Sequence, residues 1–238
     1  MQHEKKISIR HYVNTNLKER RGESDLEDHL YPLYLEIIYR RQHIQIKSII
    51  NKRFARDLKN ANETDRKLMT LDKDRVYKMI RFEENRFGDD HKLRQIGYRY
   101  LNYNAAVFDI VEDGLRVELK TIVKNHFPNQ FTILNFDKRV VPIDNLFAAT
   151  KALCPELGKY LNLDNYEMEL KIWKKYFEEF PGIDIDKFKY PSFLDWILDK
   201  HFAKMSSILG KDKKIPKDVI NEILGKVAMT IKLSTIGP

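Results

Sequence analysis

KISIRHYVNTNLKERRGESDLEDHLYPLYLEIIYRRQHIQIKSIINKRF, residues 6–54, carries the pattern that decides the fold. Apolar residues recur two or four positions apart in three short runs, which is typical of β-strands that bury one face. The runs are Ile7, Ile9 and Val13, then Leu33, Leu35 and Ile37, and then Ile44, Ile46 and Ile50. This part of the chain is therefore predicted to form a small three-stranded sheet.

The other side chains of these strands suggest a surface that binds nucleic acid. Those expected on the face opposite the core include Arg10, Tyr12, Tyr34, Gln45 and Lys47. A second, basic group lies at the predicted hairpin tip and directly after the third strand: Arg40, Arg41, Lys52 and Arg53. Side chains of these types contact phosphates and base edges in DNA complexes. We predict that the second group anchors phosphates while Arg10, Tyr12, Gln45 and Lys47 face the groove.

The positive charge of the chain is concentrated in the same region. The formal net charge is +8. Residues 1–60 hold 13 Lys and Arg against 8 Asp and Glu, a net of +5, whereas residues 61–238 hold 30 against 27, a net of +3. A localised excess favours binding to a polyanion, and an even spread would indicate only a solvated, lysine-rich surface.

Residues 5–55 resemble the N-terminal arm-type DNA-binding domain of tyrosine recombinases (integrases) of mobile elements, particularly those of Bacteroidetes. The segments that carry the resemblance are Ile7-Ser8-Ile9-Arg10, Tyr31-Pro32-Leu33-Tyr34-Leu35 and Ile46-Lys47-Ser48. It implies a three-stranded antiparallel sheet that lays one face or edge into the major groove of double-stranded DNA. Glu36 stands where such domains often carry a basic residue.

The catalytic domain of those recombinases is not matched. Gly114–Leu119 resembles their first arginine box and His91–Arg94 resembles their histidine-arginine box. In the family the arginine box comes first and the nucleophilic tyrosine follows both boxes, whereas here the two boxes stand in reverse order. We therefore expect a non-catalytic, integrase-related accessory or regulatory protein of a mobile element, with a role in DNA recombination.

Beyond the sheet the apolar spacing changes to that of helices. The segment KNANETDRKLMTLDKD, residues 59–74, is polar at its start, and a linker is predicted at residues 61–74. From Val76 onward apolar residues step by three or four, which indicates helices. The predicted fold class is α+β, with a small antiparallel sheet in residues 1–60 followed by a larger all-helical domain in residues 75–238.

A nuclease is an alternative interpretation of residues 108–120. If Asp113-Gly114 formed a hairpin turn, then Asp109, Glu118 and Lys120 would resemble the D…ExK arrangement in which carboxylates hold Mg²⁺. If the same residues formed a helix, Glu118 and Lys120 would point in different directions and no metal site would form.

Other classes of site and partner are predicted to be absent. Cys154 is the single cysteine, and there is no glycine-rich phosphate loop, HExxH, calcium loop or zinc-type Cys/His spacing, so no cofactor is expected. No run of about 18 apolar residues could span a bilayer, and the first residues lack the apolar stretch of a signal peptide, so we expect a cytoplasmic protein without a membrane partner. Besides double-stranded DNA, the expected partners are a recombinase or a second copy of the chain. The remaining alternative is a protein-interaction module that pairs through an exposed sheet edge and does not bind DNA.

Overall fold

The structure, a computed structural model, describes residues 6–17, 30–50, 52–54, 58–135, 140–185, 188–212 and 215–236. The strands in these ranges are β1 (Ser8–Val13), β2 (Tyr31–Tyr39), β3 (Gln42–Lys47) and β4 (Arg53–Phe54). The α-helices are α1 (Glu63–Phe87), α2 (Leu93–Asn104), α3 (Val107–His126), α4 (Ile143–Leu153), α5 (Leu163–Glu179), α6 (Phe193–Leu198), α7 (His201–Leu209) and α8 (Lys217–Ile236). The chain divides into two compact units: unit 1 is Met1–Ala105, Ile183–Leu198 and Ser234–Pro238, and unit 2 is Ala106–Gly182 and Asp199–Leu233.

The predicted α+β class, with an N-terminal antiparallel sheet followed by a mostly helical region, is confirmed. Strand β2 lies in the centre, pairs with β1 on one side and β3 on the other, and pairs with the short β4 at its beginning. The predicted alternation is also correct, because Leu33, Leu35 and Ile37 are almost fully buried while their neighbours Tyr34 and Glu36 lie on the opposite face.

Helices α1 and α2 cover the buried face of the sheet. The shared core contains residues of the central strand and of both helices: Leu35, Ile37, Tyr39, Val76, Met79, Ile80, Leu93, Ile96, Tyr100 and Tyr103. Helix α2 approaches β3 closely at Gly97, where an added Cβ would lie 3.4 Å from Ile46 Cγ2. The sheet therefore has one covered face and depends on the two helices for its core.

Residues 61–74 do not form the predicted linker. Helix α1 begins at Glu63, and Asn62 and Asp65 form a reciprocal capping box in which the Asp65 amide donates to Asn62 Oδ1 at 2.8 Å. Leu68 and Met69 are buried in a second core cluster beneath the sheet. The predicted separation at residue 60 is also wrong for the compact units, because unit 1 continues from the sheet through α1 and α2 to Ala105.

A buried polar network joins the sheet to the two helices at Asp72. This side chain is fully buried and accepts hydrogen bonds from Ser48 Oγ at 2.6 Å and from the Tyr100 hydroxyl at 2.7 Å. His11 Nε2 lies 3.0 Å from the same carboxylate. The Tyr100 hydroxyl in turn accepts from the Ile49 amide at 2.9 Å. The Asp72 carboxylate thus contacts residues of β1, of α2 and of the segment directly after β3.

Unit 2 is helical in its described residues, and α3 decides between the two interpretations of residues 108–120. This helix runs from Val107 to His126 through Asp113-Gly114, so the hairpin that the nuclease alternative requires is not formed. Within the described residues no group of three or more His, Cys, Asp or Glu side chains is placed to hold a metal ion. The helix alternative is the one observed.

Helix α5 contributes aromatic side chains to the core of unit 2. Trp173 and Tyr176 are buried, and the Tyr176 hydroxyl lies 2.8 Å from His201 Nδ1 of α7. The Tyr166 hydroxyl donates to the Leu115 carbonyl oxygen at 2.9 Å and ties α5 to α3. In the described part of the chain, no helix is both long enough and apolar enough to cross a membrane.

His91 is a buried histidine in unit 1 whose ring forms no hydrogen bond with the described residues. The residue is only 3% exposed, and neither ring nitrogen has a partner in the part of the chain that the structure describes. Burial lowers the pKa of His91, and the charges of Arg40 and Arg99 lower it further, while Glu83 and Glu84 act in the opposite direction. The folded state therefore favours the neutral imidazole.

We expect acid to destabilise unit 1 through His91. Below about pH 6.5 the unfolded chain binds a proton that the folded state resists, so stability falls as the pH falls. Between pH 7.5 and 5.5 this group should lower the free energy of unfolding by at most about 1.4 kcal/mol, the limit set by titration of the unfolded chain. Urea unfolding at both pH values should show that His91→Leu removes this part of the loss. Equal losses in the variant and the wild type would contradict the assignment.

Candidate nucleic-acid interface

The side of the sheet opposite α1 and α2 is the candidate site, and we call it the outer face. It consists of nine side chains, three from each long strand: Ser8, Arg10, Tyr12, Tyr34, Glu36, Ile38, His43, Gln45 and Lys47. The strand register arranges them in three rows, because residues that pair across strands stand opposite one another. The rows are Ser8, Ile38 and His43; Arg10, Glu36 and Gln45; and Tyr12, Tyr34 and Lys47.

The central row contains an ion pair between two strands. Arg10 Nε of β1 is bonded to Glu36 Oε2 of β2, and His43 Nε2 of β3 lies 3.1 Å from Glu36 Oε1. The hydrogen bond from Arg10 lowers the pKa of Glu36. The Arg10 side chain is 70% exposed, whereas that of Glu36 is only 13% exposed. Glu36 therefore lies low on the sheet and Arg10 projects from it.

The third row combines aromatic and basic side chains. The rings of Tyr12 and Tyr34 lie with their centroids 6.0 Å apart. Burial raises the pKa of Tyr12, and the neighbouring Tyr34 raises it further, so the phenol stays protonated at neutral pH. Lys47 is exposed, and no described residue forms an ion pair with it. Its ammonium group is available to an anion.

The hairpin between β2 and β3 has two residues in the left-handed region. Tyr39 pairs with Gln42, and the two residues between them, Arg40 and Arg41, have φ values of 49° and 63°. Tight hairpins of this kind usually place Asn and Gly at these positions, since other residues pay a steric cost there. The Arg40 side chain is bonded to Glu84 and donates to the Tyr39 hydroxyl at 3.1 Å. Arg41 is exposed, with no partner among the described residues.

The two basic residues near β4 also have partners within the chain. Lys52 Nζ lies 2.5 Å from Asp65 Oδ1, which belongs to the capping box of α1. Arg53 Nη1 donates to the Leu30 carbonyl oxygen at 3.1 Å. These contacts stabilise the connection between the sheet and α1, and phosphate binding by Lys52 and Arg53 stays a prediction.

The structure thus divides the predicted site residues into two groups. Arg10, Tyr12, Gln45 and Lys47 lie together on the outer face, and Arg41 is exposed at the hairpin tip. Arg40, Lys52 and Arg53 are engaged in contacts that hold the fold. Sequence reasoning did not place Glu36 or His43 in the site, although the opposite charges of Arg10 and Glu36 on adjacent strands were a usable signal.

The two units differ in net charge. Unit 1 holds 25 Lys and Arg against 19 Asp and Glu, a net of +6, whereas unit 2 holds 18 against 16, a net of +2. A cavity of about 200 Å³ in unit 2 is lined by three carboxylates and one ammonium group, those of Glu118, Glu169, Glu222 and Lys226. Burial raises the pKa of Glu169 there. An acidic cavity does not suit DNA, so the outer face of unit 1 is the better candidate.

We expect Arg41→Gly to stabilise the protein while weakening any binding to anions at the hairpin tip. Glycine adopts the left-handed conformation freely, so the free energy of unfolding should rise by about 1 kcal/mol. Arg41→Ala is the control, because it removes the same charge and keeps the steric cost. Urea unfolding of both variants tests the strain, and a glycine variant no more stable than the alanine variant would contradict it.

Comparisons of the chain with protein-family models, with curated proteins and with solved structures gave no match.

Proposed function

We propose that unit 1 is a module that binds double-stranded DNA, and that the chain is a non-catalytic, integrase-related accessory or regulatory protein of a mobile element in the cytoplasm. The arrangement of side chains on the outer face supports this proposal most directly. It brings Arg10, Gln45 and Lys47 into adjoining rows on a sheet whose other face is covered by helices, and Arg41 extends the basic surface at the hairpin tip.

The dimensions of the outer face suit the major groove. Strands lie about 4.8 Å apart, so three strands span roughly 10 Å, close to the groove width of about 12 Å. Strands β1 and β3 have six residues each, which gives a length of about 20 Å. A sheet of this size presents its central row to base edges and its margins to the flanking phosphates.

The side chains of the outer face supply both kinds of contact. Lys47 and Arg41 are exposed cations at the margin and the tip, and we assign them to phosphates. Arg10 and Gln45 are exposed in the central row and have the donors that base edges accept. The Tyr12 hydroxyl is buried, so Tyr12 contributes its ring to this face and not its hydroxyl. DNA binding on this face needs no movement of α1 or α2.

The test is a titration of fluorescent duplex DNA with the full chain at several salt concentrations. The full chain is required because α1 and α2 cover the sheet and complete its core. We expect affinity to fall steeply as salt rises, with a slope of about −0.9 for each phosphate contact. No binding at low salt would refute the proposal, and Mg²⁺-dependent cleavage in a parallel sample would refute its non-catalytic part.

A protein-interaction module is the second candidate, and the position of β1 favours it. This strand lies at the end of the β1-β2-β3 order, so the described residues supply no further strand beside it. The nearby Ile38 is 44% exposed on the outer face. A strand of a second chain could pair with this edge. Sedimentation at several protein concentrations, in the absence of DNA, would then show reversible self-association.

A further inference from the structure

Among the described residues, Arg10 is bonded only through its Nε. Its Nε is occupied by Glu36, and neither terminal nitrogen has a partner among the described residues. The side chain is 70% exposed, so most of its surface is accessible to a ligand. An arginine held in this way offers two parallel N–H donors at a fixed place on the outer face.

Glu36 is held on both sides and does not itself reach beyond the sheet. One carboxylate oxygen accepts from Arg10, the other is 3.1 Å from His43 Nε2, and the side chain is only 13% exposed. Fixing the arginine before binding reduces the conformational entropy that a contact would otherwise cost. Glu36 therefore orients Arg10 and exposes little surface with which to contact a ligand.

The negative charge of Glu36 also determines which ligand group suits Arg10. A carboxylate bonded to Arg10 offsets its positive charge and repels a phosphate that approaches the same place. The edge of a base carries only partial charges, so this repulsion is much weaker there. Two parallel donors match the O6 and N7 acceptors that guanine presents in the major groove.

We propose, as an extension of the proposed DNA-binding function, that Arg10 reads a guanine in the major groove through its two terminal nitrogens, with Glu36 as its positioning residue. The third member of the row, Gln45, is exposed and lies opposite Glu36 across the strand pair. It can contact a neighbouring base pair. The outer face would then recognise a site with at least one required guanine.

The test begins with selection of bound duplexes from a random-sequence library by the full chain. Wild-type protein should enrich one guanine position. Arg10→Lys keeps the positive charge and loses the paired donors, so that position should become degenerate while the salt dependence of affinity stays the same. On the selected site, we expect the preference for guanine over other bases to fall by about ten- to a hundredfold.

A modified base then tests the contact itself. Replacing the selected guanine by 7-deazaguanine removes the N7 acceptor, which should weaken binding by wild-type protein and leave binding by Arg10→Lys unchanged. Glu36→Gln should reduce the guanine preference without reducing affinity for random duplexes. Glu84→Gln, which alters the carboxylate bonded to Arg40, is the matched control and should keep the preference.

The possible results separate this inference from the proposed function. If no library member is retained at low salt, the DNA-binding proposal itself fails and the inference fails with it. If duplexes are bound but no guanine is enriched, DNA binding stands and the role of Arg10 is refuted. If guanine is enriched equally by wild type and Arg10→Lys, another residue reads it. If Glu36→Gln keeps the full preference, Glu36 does not position Arg10.

Discussion

Replacing Asp72 by alanine is expected to lower the free energy of unfolding of unit 1 by about 4 kcal/mol. The fully buried carboxylate accepts from Ser48 and Tyr100 and contacts His11, and alanine would leave the two hydroxyl donors and His11 Nε2 buried without this acceptor. Each unsatisfied buried group costs about 1–3 kcal/mol. Since small domains are stable by only about 5–15 kcal/mol, this single change removes much of the margin.

The effect can be measured in unit 1 separately from unit 2. The chain has two tryptophans, Trp196 in unit 1 and Trp173 in unit 2, so a Trp173→Phe background makes fluorescence report on unit 1. Asp74→Ala is the control, because Asp74 is exposed on the same helix and its loss should change stability by less than about 0.5 kcal/mol. Equal effects of the two substitutions in urea unfolding would show that the buried network does not stabilise the sheet.

The strands were predictable because alternation is a local signal. In β2 the apolar positions Leu33, Leu35 and Ile37 all face the core, as their spacing indicates. His11 occupies a core position of β1 that the pattern alone would assign to an apolar residue, and its partner Asp72 is 61 positions away. A contact between residues so distant in the chain leaves no mark in the spacing of either segment.

The beginning of α1 was not predictable either, because its buried charged residues are held by partners elsewhere in the chain. Its buried side includes charged residues, Asp65, Asp72 and Arg75, which interrupt the apolar spacing by which a helix is recognised. Asp65 is held by the capping box and Lys52, and Asp72 by the network beneath the sheet. The sequence therefore read as a polar linker where the structure has a helix that completes the core of the sheet.

The face of the sheet that carries the candidate site could be predicted from the sequence, but the contacts of its individual residues could not. Alternation placed Arg10, Tyr12, Gln45 and Lys47 on one side, and the structure agrees. Charge alone could not show that Arg40 is bonded to Glu84, because that contact requires the hairpin to pack against the end of α1. Basic residues that look equivalent in the sequence thus differ in whether their side chains are already bonded within the protein.

We expect the double substitution Arg41→Gln and Lys47→Gln to weaken DNA binding by about 60-fold at 0.1 M salt. The loss of two phosphate contacts should reduce the magnitude of the slope of log K against log salt concentration by about 1.8. At 0.1 M salt this change corresponds to the loss of about 60-fold in affinity. Both side chains are exposed and have no partners among the described residues, so the fold should be unaffected. Titration of fluorescent duplex DNA at several salt concentrations measures the slope and the affinity together.

The matched control is Lys67→Gln with Lys78→Gln, which removes the same charge from the exposed side of α1. If the outer face and hairpin tip bind DNA, this control should lose much less affinity, because its charges act only at a distance and are screened beyond about 10 Å at 0.1 M salt. Equal losses in the two double variants would mean that net charge, and not the outer face, attracts the DNA. Once DNA binding is established, the comparison therefore tests the location of the interface.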